Sequence, residues 1–292
     1  MNRMTPTQSL RTLLARPGIV RSLAPHDVFT AKVMERAGLP LLFVGGFGVS
    51  ASGFGLPDLG LLGLAEMADA ARRMTGAVSV PVIVDGDTGY GSVPNVIRTV
   101  REFGRAGAAG MLIEDQVFPK RCGHFAGKQV IPVEEMETKL KAALDARLDP
   151  DFVIIARTDA RAVEGLDAAL DRAHRYAAIG ADLIFVEAPQ SVAELTRIAR
   201  EIKKPQLANM LVGGVTPILS AEELEQLGFK IVVSPVESLA ITAFAVKQLA
   251  RAMLDDGRVD GLSDRMTSFA EIKQLLGASE PVDQRHGQPP LV

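Results

Sequence analysis

Apolar residues along this chain fall into eight short unbroken runs, most of them separated by longer stretches in which apolar positions return every three or four residues. The runs are GIVRSLA (18–24), LLFVGG (41–46), VPVIVDGD (80–87), AAGMLIED (108–115), FVIIARTD (152–159), ADLIFVEA (181–188), PQLANML (205–211) and KIVVSP (230–235). They are short and rich in Val, Ile, Leu and Phe, which reads as strand. Because polar residues do not alternate within them, both faces of each strand are covered, as in parallel sheets under helices. The stretches between include AEMADAARRMTG, NVIRTVREFGRAG, EEMETKLKAALDAR, LDAALDRAHRYAAIG, AEELEQLGF and LAITAFAVKQLARAMLDDG, all amphipathic helices by spacing. Gly107, Gly180 and Gly228 follow three of them, where a helix needs a left-handed terminating residue.

Eight strand-helix units predict an α/β fold, a closed (β/α)8 TIM barrel, as one domain over residues 1–292 with a helical tail from about residue 240. A doubly wound open sheet is the competing arrangement of the same alternation. One further helix, SFAEIKQLLG, precedes a polar Pro-bearing end, ASEPVDQRHGQPPLV, whose last dozen residues read as frayed or partner-dependent.

Composition narrows the partners more than the chemistry. A net charge of -3 gives no general attraction to nucleic acid or an anionic membrane. A single cysteine excludes an intramolecular disulfide, the first residues lack the apolar core of a secretory signal, and no apolar run reaches the roughly 20 residues of a membrane span. The expectation is a cytoplasmic protein, with the substrate left open by the bulk charge.

In a barrel, functional groups belong at the C-terminal ends of the strands. There the sequence puts Asp85 and Asp87 after the third, Glu114, Asp115 and Gln116 after the fourth, Arg157, Thr158 and Asp159 after the fifth, Glu187 after the sixth, Asn209 after the seventh and Ser234 after the eighth. Any one of them alone is adequately explained as a cap or a solvated rim carboxylate. Carboxylates converging from neighbouring strands repel unless a cation or protons intervene. Asp85, Asp87 and Glu114 offer hard oxygen ligands with no histidine cluster or cysteine pair beside them, which favours Mg2+, with Mn2+ also possible, over Zn2+. Arg157 is either their ion-pair partner or a clamp on a substrate carboxylate. The glycines of DGDTGYGSVPNV match neither the P-loop nor the dinucleotide fingerprint, so nucleotide binding is disfavoured.

The segment KRCGH (120–124) holds the lone cysteine. Lys120, Arg121 and His124 would favour its thiolate, and its place in a Pro- and Gly-bearing loop after the fourth strand suits a catalytic thiol better than a core filler.

KRCGH, with GLPDLG (55–60), DGDTGYG (85–91), IEDQ (113–116), ARTDA (156–160), FVEAP (185–189) and ANMLVGGVTP (208–217), resembles the isocitrate lyase/phosphoenolpyruvate mutase superfamily over residues from about 8 to 275. The similarity is to the branch holding methylisocitrate lyase, 2,3-dimethylmalate lyase, petal death protein and carboxyphosphonoenolpyruvate phosphonomutase. The resemblance implies Mg2+ held mainly through Asp87, with Asp85 and Glu114 acting through water. It implies a mobile loop carrying Cys122, and a homotetramer in which the helix after the eighth strand is swapped between subunits. It further implies a carbon-carbon lyase acting on a 2-hydroxy di- or tricarboxylate, 2-alkylmalate or methylisocitrate in type, and yielding an α-keto acid. In that reading Cys122 delivers the proton and Arg157 steadies the oxyanion. Gly45 and Gly46 hold the keto-acid carboxylate through their amides, while Asp58, Gly123, His124, Glu187 and Asn209 line the rest of the substrate site. Phosphonomutase or oxaloacetate hydrolase activity, and a silent ligand-binding barrel, are the alternatives.

Two positions depart from the family pattern. Gly45 stands where a serine is usual, and Pro235-Val236-Glu237 replaces Pro-Leu-Ser. Oxaloacetate-hydrolysing members carry a serine where Pro235 aligns, which favours the lyase, although Ser234 next to it leaves hydrolysis open.

Overall fold

A computed structural model describes residues 4–121, 123 and 127–278. All eight apolar runs contain a strand: β1 (Val20–Leu23), β2 (Leu41–Val44), β3 (Val82–Asp85), β4 (Gly110–Glu114), β5 (Val153–Thr158), β6 (Leu183–Val186), β7 (Leu207–Asn209) and β8 (Ile231–Ser234). Every pairing is parallel, in the order β6-β5-β4-β3-β2-β1-β8-β7. The circuit closes between β6 and β7 through one parallel bridge, Ile184 with Gln206, and the bond from Ile184 N to Pro205 O at 3.0 Å. This is the (β/α)8 barrel, not an open sheet.

A helix follows each strand: Val28–Arg36, Leu64–Thr75, Val93–Arg105, Val133–Asp145, Leu166–Ile179, Val192–Glu201, Ala221–Leu227 and Glu237–Asp256. Their ends are set by local chemistry. Asp27 accepts from Thr30 N and Ser191 from Glu194 N, satisfying amides that have no partner in a first turn. Gly107, Gly180 and Gly228 take positive φ just past their helices, as expected.

Strand side chains alternate between two apolar layers. Leu41, Phe43, Ile83, Leu112, Val153, Ile155, Leu183, Phe185, Leu207, Ile231 and Val233 fill the barrel interior. Leu42, Val44, Val82, Val84, Met111, Ile113, Ile154, Ala156, Ile184, Val186 and Ala208 pack against the helices. Each large side chain buried this way contributes on the order of 2 kcal/mol. An added helix, Pro6–Ala15, joins the interior layer through Leu10, with Leu13 and Leu14 against it. Its Thr7 and Arg11 bond Asp149 and Asp182, which precede β5 and β6, so it stops the N-terminal end of the barrel. The open end is therefore the other one.

Contacts divide the chain into residues 1–240 and 241–292. The second unit contains most of helix Glu237–Asp256, which has no buried residue and exposes Ile241, Phe244, Val246, Met253 and Leu254. With Leu249, Leu262 and Met266, some of these line a cleft of about 860 Å3. The short helix Phe269–Leu275 falls within the predicted SFAEIKQLLG. Residues 279–292 are outside the described residues. No helix among the described residues is long and apolar enough to cross a membrane.

Candidate active site

The alternation that fills the barrel also chooses which residues reach its open mouth. Continuing the inward positions two at a time past the apolar layer leads from Leu41 and Phe43 to Gly45, from Ile83 to Asp85 and Asp87, and from Leu112 to Glu114. The same step leads from Val153 and Ile155 to Arg157 and Asp159, from Leu183 and Phe185 to Glu187, from Leu207 to Asn209, and from Ile231 and Val233 to Pro235. Gly45, Gly46, Asp58, Asp85, Lys120, Arg121, Gly123, Arg157, Glu187 and Asn209 line one cleft of about 630 Å3 including its mouth. Its floor is Phe43, Leu112, Phe185, Leu207 and Val233, and Leu211, Pro235 and Val236 add an apolar wall.

The turn after β3 is built on unusual backbone. Asp87 and Tyr90 have φ of 46° and 58°, a region that costs a side-chain-bearing residue of order 1–3 kcal/mol and persists where the surroundings enforce it. Here the enforcing contacts are internal: Asp87 N donates to Asp85 Oδ1 at 3.1 Å, and Asp87 O accepts from Glu114 N at 2.9 Å. Gly46 N donates to Asp85 Oδ2 at 3.4 Å. Gly86 lies so close to β4 that a Cβ there would stand 2.6 Å from Leu112 O.

Charge in the mouth is unbalanced. Six buried carboxylates, Asp58, Asp85, Asp87, Glu114, Asp159 and Glu187, face three buried cations, Lys120, Lys128 and Arg157. The Lys120 ammonium bridges Asp58 Oδ1 at 2.6 Å and Asp87 Oδ1 at 2.8 Å. Burial pulls its proton off, but Asp87, Asp85 and Asp58 overcome this and hold the pKa well above normal. Burial pushes the Asp87 carboxyl up to about 7; Lys120 opposes the rise, and Asp85 and Asp58 add to it. Burial likewise raises Glu114 well above the carboxylate range, against the pull of Arg157. Arg157 meets Asp159 at 2.8 and 3.0 Å, Glu114 and Glu187 at 3.3 Å each, and lies 5.4 Å over the Phe185 ring.

A divalent ion fits this chemistry. Among the described residues, Asp87 Oδ1 and Glu114 Oε1 are buried oxygens without a hydrogen bond, although Asp87 Oδ1 has its ion contact with Lys120. A hard cation opposes the burial that raises such carboxyls, because it favours their charged form. No three such side chains among the described residues converge closely enough to hold an ion directly. Mg2+ keeps several waters and takes one or two protein oxygens.

The structure thus brings together Gly45, Gly46, Asp58, Asp85, Gly123, Arg157, Glu187 and Asn209, with Asp87 and Glu114 joined to them through Lys120 and Arg157. Cys122 and His124 lie outside the described residues. Lys120, expected only to flank the thiol, is committed to two carboxylates. Asp159 was named in the sequence only as one of the strand-end groups, without a role, and Lys128 not at all. Asp159 was legible in principle, two residues beyond Arg157 on the same face; Lys128 was not, because a loop has no period. At the two departures, a Cβ on Gly45 would meet nothing nearer than Phe43 at 3.8 Å, so packing does not forbid a serine there. Glu237 points neither oxygen into the cleft: they accept from Val212 N at 2.8 Å and Val236 N at 3.0 Å, tying the loop after β7 to the end of β8.

Comparison with known proteins places this mouth in context. The model of the family described as phosphoenolpyruvate phosphomutase matches residues 10–254. The chain is 43% identical to a 2,3-dimethylmalate lyase of Eubacterium barkeri over 97% of its own length and 98% of that protein. It is 42% identical to a 2-methylisocitrate lyase of Aeropyrum pernix, covering 93% and 87%. Among solved structures, 2,3-dimethylmalate lyase superposes with a TM-score of 0.91 at 34% identity, covering 98% of this chain and 97% of that one. Oxaloacetate acetylhydrolase bound to 3,3-difluorooxalacetate gives 0.88 at 31%, covering 94% of each. Phosphonopyruvate hydrolase bound to oxalate and Mg2+ gives 0.87 at 29%, covering 98% and 100%.

Proposed function

The chain belongs to the phosphoenolpyruvate phosphomutase family, and on that footing we propose that it is a divalent-metal-dependent carbon-carbon lyase that cleaves a 2-hydroxy dicarboxylate of the 2-alkylmalate type. The observation that carries the reading is a mouth in which an acidic cluster short of cations, a guanidinium and an apolar wall face one cleft. A hydroxy acid with alkyl groups presents matching features: carboxylates for the amides and cations, alkyl carbons for Leu211, Pro235 and Val236.

Asp87 would hold the ion, with Asp85 and Glu114 on its water; when bound, the ion supplies Lewis-acid polarisation of the substrate's C2 oxygen. The backbone amides of Gly45 and Gly46 hold the adjacent carboxylate. Arg157, already shared among Asp159, Glu114 and Glu187, steadies the charge on the C2 oxygen once its proton has left; as the C2–C3 bond breaks that oxygen becomes the keto carbonyl and the electron pair passes to C3. The hydroxyl loses a proton and C3 gains one, so the cleavage is redox-neutral and releases an α-keto acid and a saturated carboxylate. Cys122, outside the described residues, is the donor to C3 by its place in KRCGH, with His124 beside it. Glu187 and Asn209, joined at 3.5 Å, orient the second product's carboxylate. Ser234 alternates with Val233 and Pro235 and does not line the cleft, which favours lyase over hydrolase chemistry.

The exposed apolar side chains of helix Glu237–Asp256 support assembly with further copies, a helix-swapped homotetramer. Light scattering should then give four times 31.1 kDa. The activity is tested with 2-alkylmalates, methylisocitrate and oxaloacetate, each with Mg2+ and with chelator. Keto acid formed from a 2-alkylmalate only with Mg2+ is expected, as is its loss in Cys122→Ser with Mg2+ binding intact. No keto acid from any of the panel would end the lyase reading.

A further inference from the structure

Lys128 is one of the three buried cations of the mouth, yet it does not line the cleft and is buried as deeply as the acidic cluster. Its ammonium is 2.6 Å from Asp159 Oδ1 and donates also to the carbonyl of Gly123. A lysine that desolvated is held only where its proton donors are used, because an unpaired buried ammonium is strongly destabilising.

Both of its partners face Arg157. The Asp159 carboxylate accepts from Arg157 Nε at 2.8 Å through Oδ2 and from Nη2 at 3.0 Å through Oδ1. Oδ1 is thus shared between Arg157 and Lys128. The Asp159 main chain is pinned from behind: its N–H donates to Asp115 Oδ1 at 2.9 Å, and Asp115 Oδ2 accepts from Tyr176 Oη at 2.8 Å. Gly123, on the other side, rests against Arg157 and Glu187 so tightly that a Cβ would come 2.7 Å from the Glu187 carboxyl carbon. One ammonium therefore spans the acid that orients Arg157 and the backbone that covers it.

We propose that Lys128 is a positioning residue for the reaction: it anchors the Asp159 carboxylate on which Arg157 Nε and Nη2 rest, and so holds the guanidinium in place beside the cleft, while fixing the Gly123 backbone against it. With Lys128 neutralised, Asp159 Oδ1 loses one of its two donors and the carboxylate can turn, carrying the bidentate Arg157 with it; the Gly123 carbonyl loses its donor as well. Both changes act on the guanidinium, and Lys128 itself contacts none of Asp85, Asp87 and Glu114.

The kinetic arm rests on the lyase reading; a binding arm does not. Lys128→Met removes the charge and keeps the stem, Lys128→Gln keeps one donor without charge, and Lys128→Arg restores charge. Oxalate affinity in the presence of Mg2+ is measured by calorimetry, kcat and KM on a 2-alkylmalate, and folding by circular dichroism. Losses of roughly tenfold to a hundredfold in oxalate affinity and in kcat are expected for the Met and Gln variants, with partial recovery in Lys128→Arg and unchanged Mg2+ affinity. If Lys128→Met does not fold, Lys128→Gln is read against the same expectation. A folded variant that binds oxalate and turns over as the wild type does, or one that loses only stability, overturns the proposal. Absence of lyase activity in the wild type would end the lyase reading and leave the oxalate arm to judge Lys128.

Discussion

Replacing Gly86 by alanine tests whether the acidic mouth depends on the spacing of β3 and β4. The new Cβ would stand 2.6 Å from Leu112 O and 2.7 Å from Met111 Cε. Met111 can turn aside, but a strand carbonyl cannot. Reaching the 3.4 Å of ordinary contact takes a shift of 0.8 Å, in the direction that stretches the bond from Gly86 N to Leu112 O, now 2.9 Å. Overpacking costs about 1–3 kcal/mol and the lost hydrogen bond about 1 kcal/mol, offset by about 0.4–1 kcal/mol from the stiffer unfolded chain. A net destabilisation of about 1–3.5 kcal/mol follows, read as a lower urea midpoint with unchanged slope. The effect on catalysis is larger than the effect on stability, because Asp85 and Asp87 flank the displaced residue and Glu114 ends the strand they move from. A misplacement near 1 Å costs on the order of a hundredfold in turnover. Gly86→Ala with a midpoint equivalent to within about 0.5 kcal/mol of wild type and full Mg2+-dependent activity would refute the reasoning.

Other outcomes follow from single contacts. Chelation should abolish keto-acid formation and Mg2+ should restore it, while Asp87→Asn raises the Mg2+ needed for half-maximal rate by about two orders of magnitude or more; an unchanged requirement would remove Asp87 as ligand. Asp159 is held below the ordinary 3.8, because Arg157 and Lys128 outweigh the burial that would raise it. Its contribution to stability is complete above about pH 4 and is lost as pH falls through the depressed value, so Asp159→Asn should flatten the fall of the urea midpoint on acidification. An equally steep fall in the variant would contradict this. Glu237→Ala frees the amides of Val212 and Val236 and loosens the apolar wall: KM should rise several-fold more for 2-alkylmalates than for malate, and a constant ratio would show that the tie does not set selectivity.

The barrel was legible because a buried parallel strand leaves a short unbroken apolar run, and eight such runs sit in chain order where β1 to β8 form. Most of the mouth was legible for the same reason, since Asp85, Glu114, Arg157, Glu187 and Asn209 are strand ends whose inward direction follows from a period of two. What escaped has no period. Lys120 and Lys128 lie in a loop, and the choice of Asp58 and Asp87 for one, Asp159 for the other, is a matter of tertiary approach. What Glu237 does was not legible either: the sequence shows an acid where a serine is usual, and only the fold shows that its two oxygens accept from the main-chain amides of Val212 and Val236.

The bridge between Ile184 and Gln206 makes the β6–β7 seam the thinnest join in the barrel wall. Glu187 and Asn209 stand on opposite banks of that seam at the open end, 3.5 Å apart. A carboxylate ligand gripped by both would act as a clasp across it, so occupancy of the site should slow amide hydrogen exchange at residues 183–186 and 206–209, well below the point of contact. Substrate, in this barrel, is also a fastener.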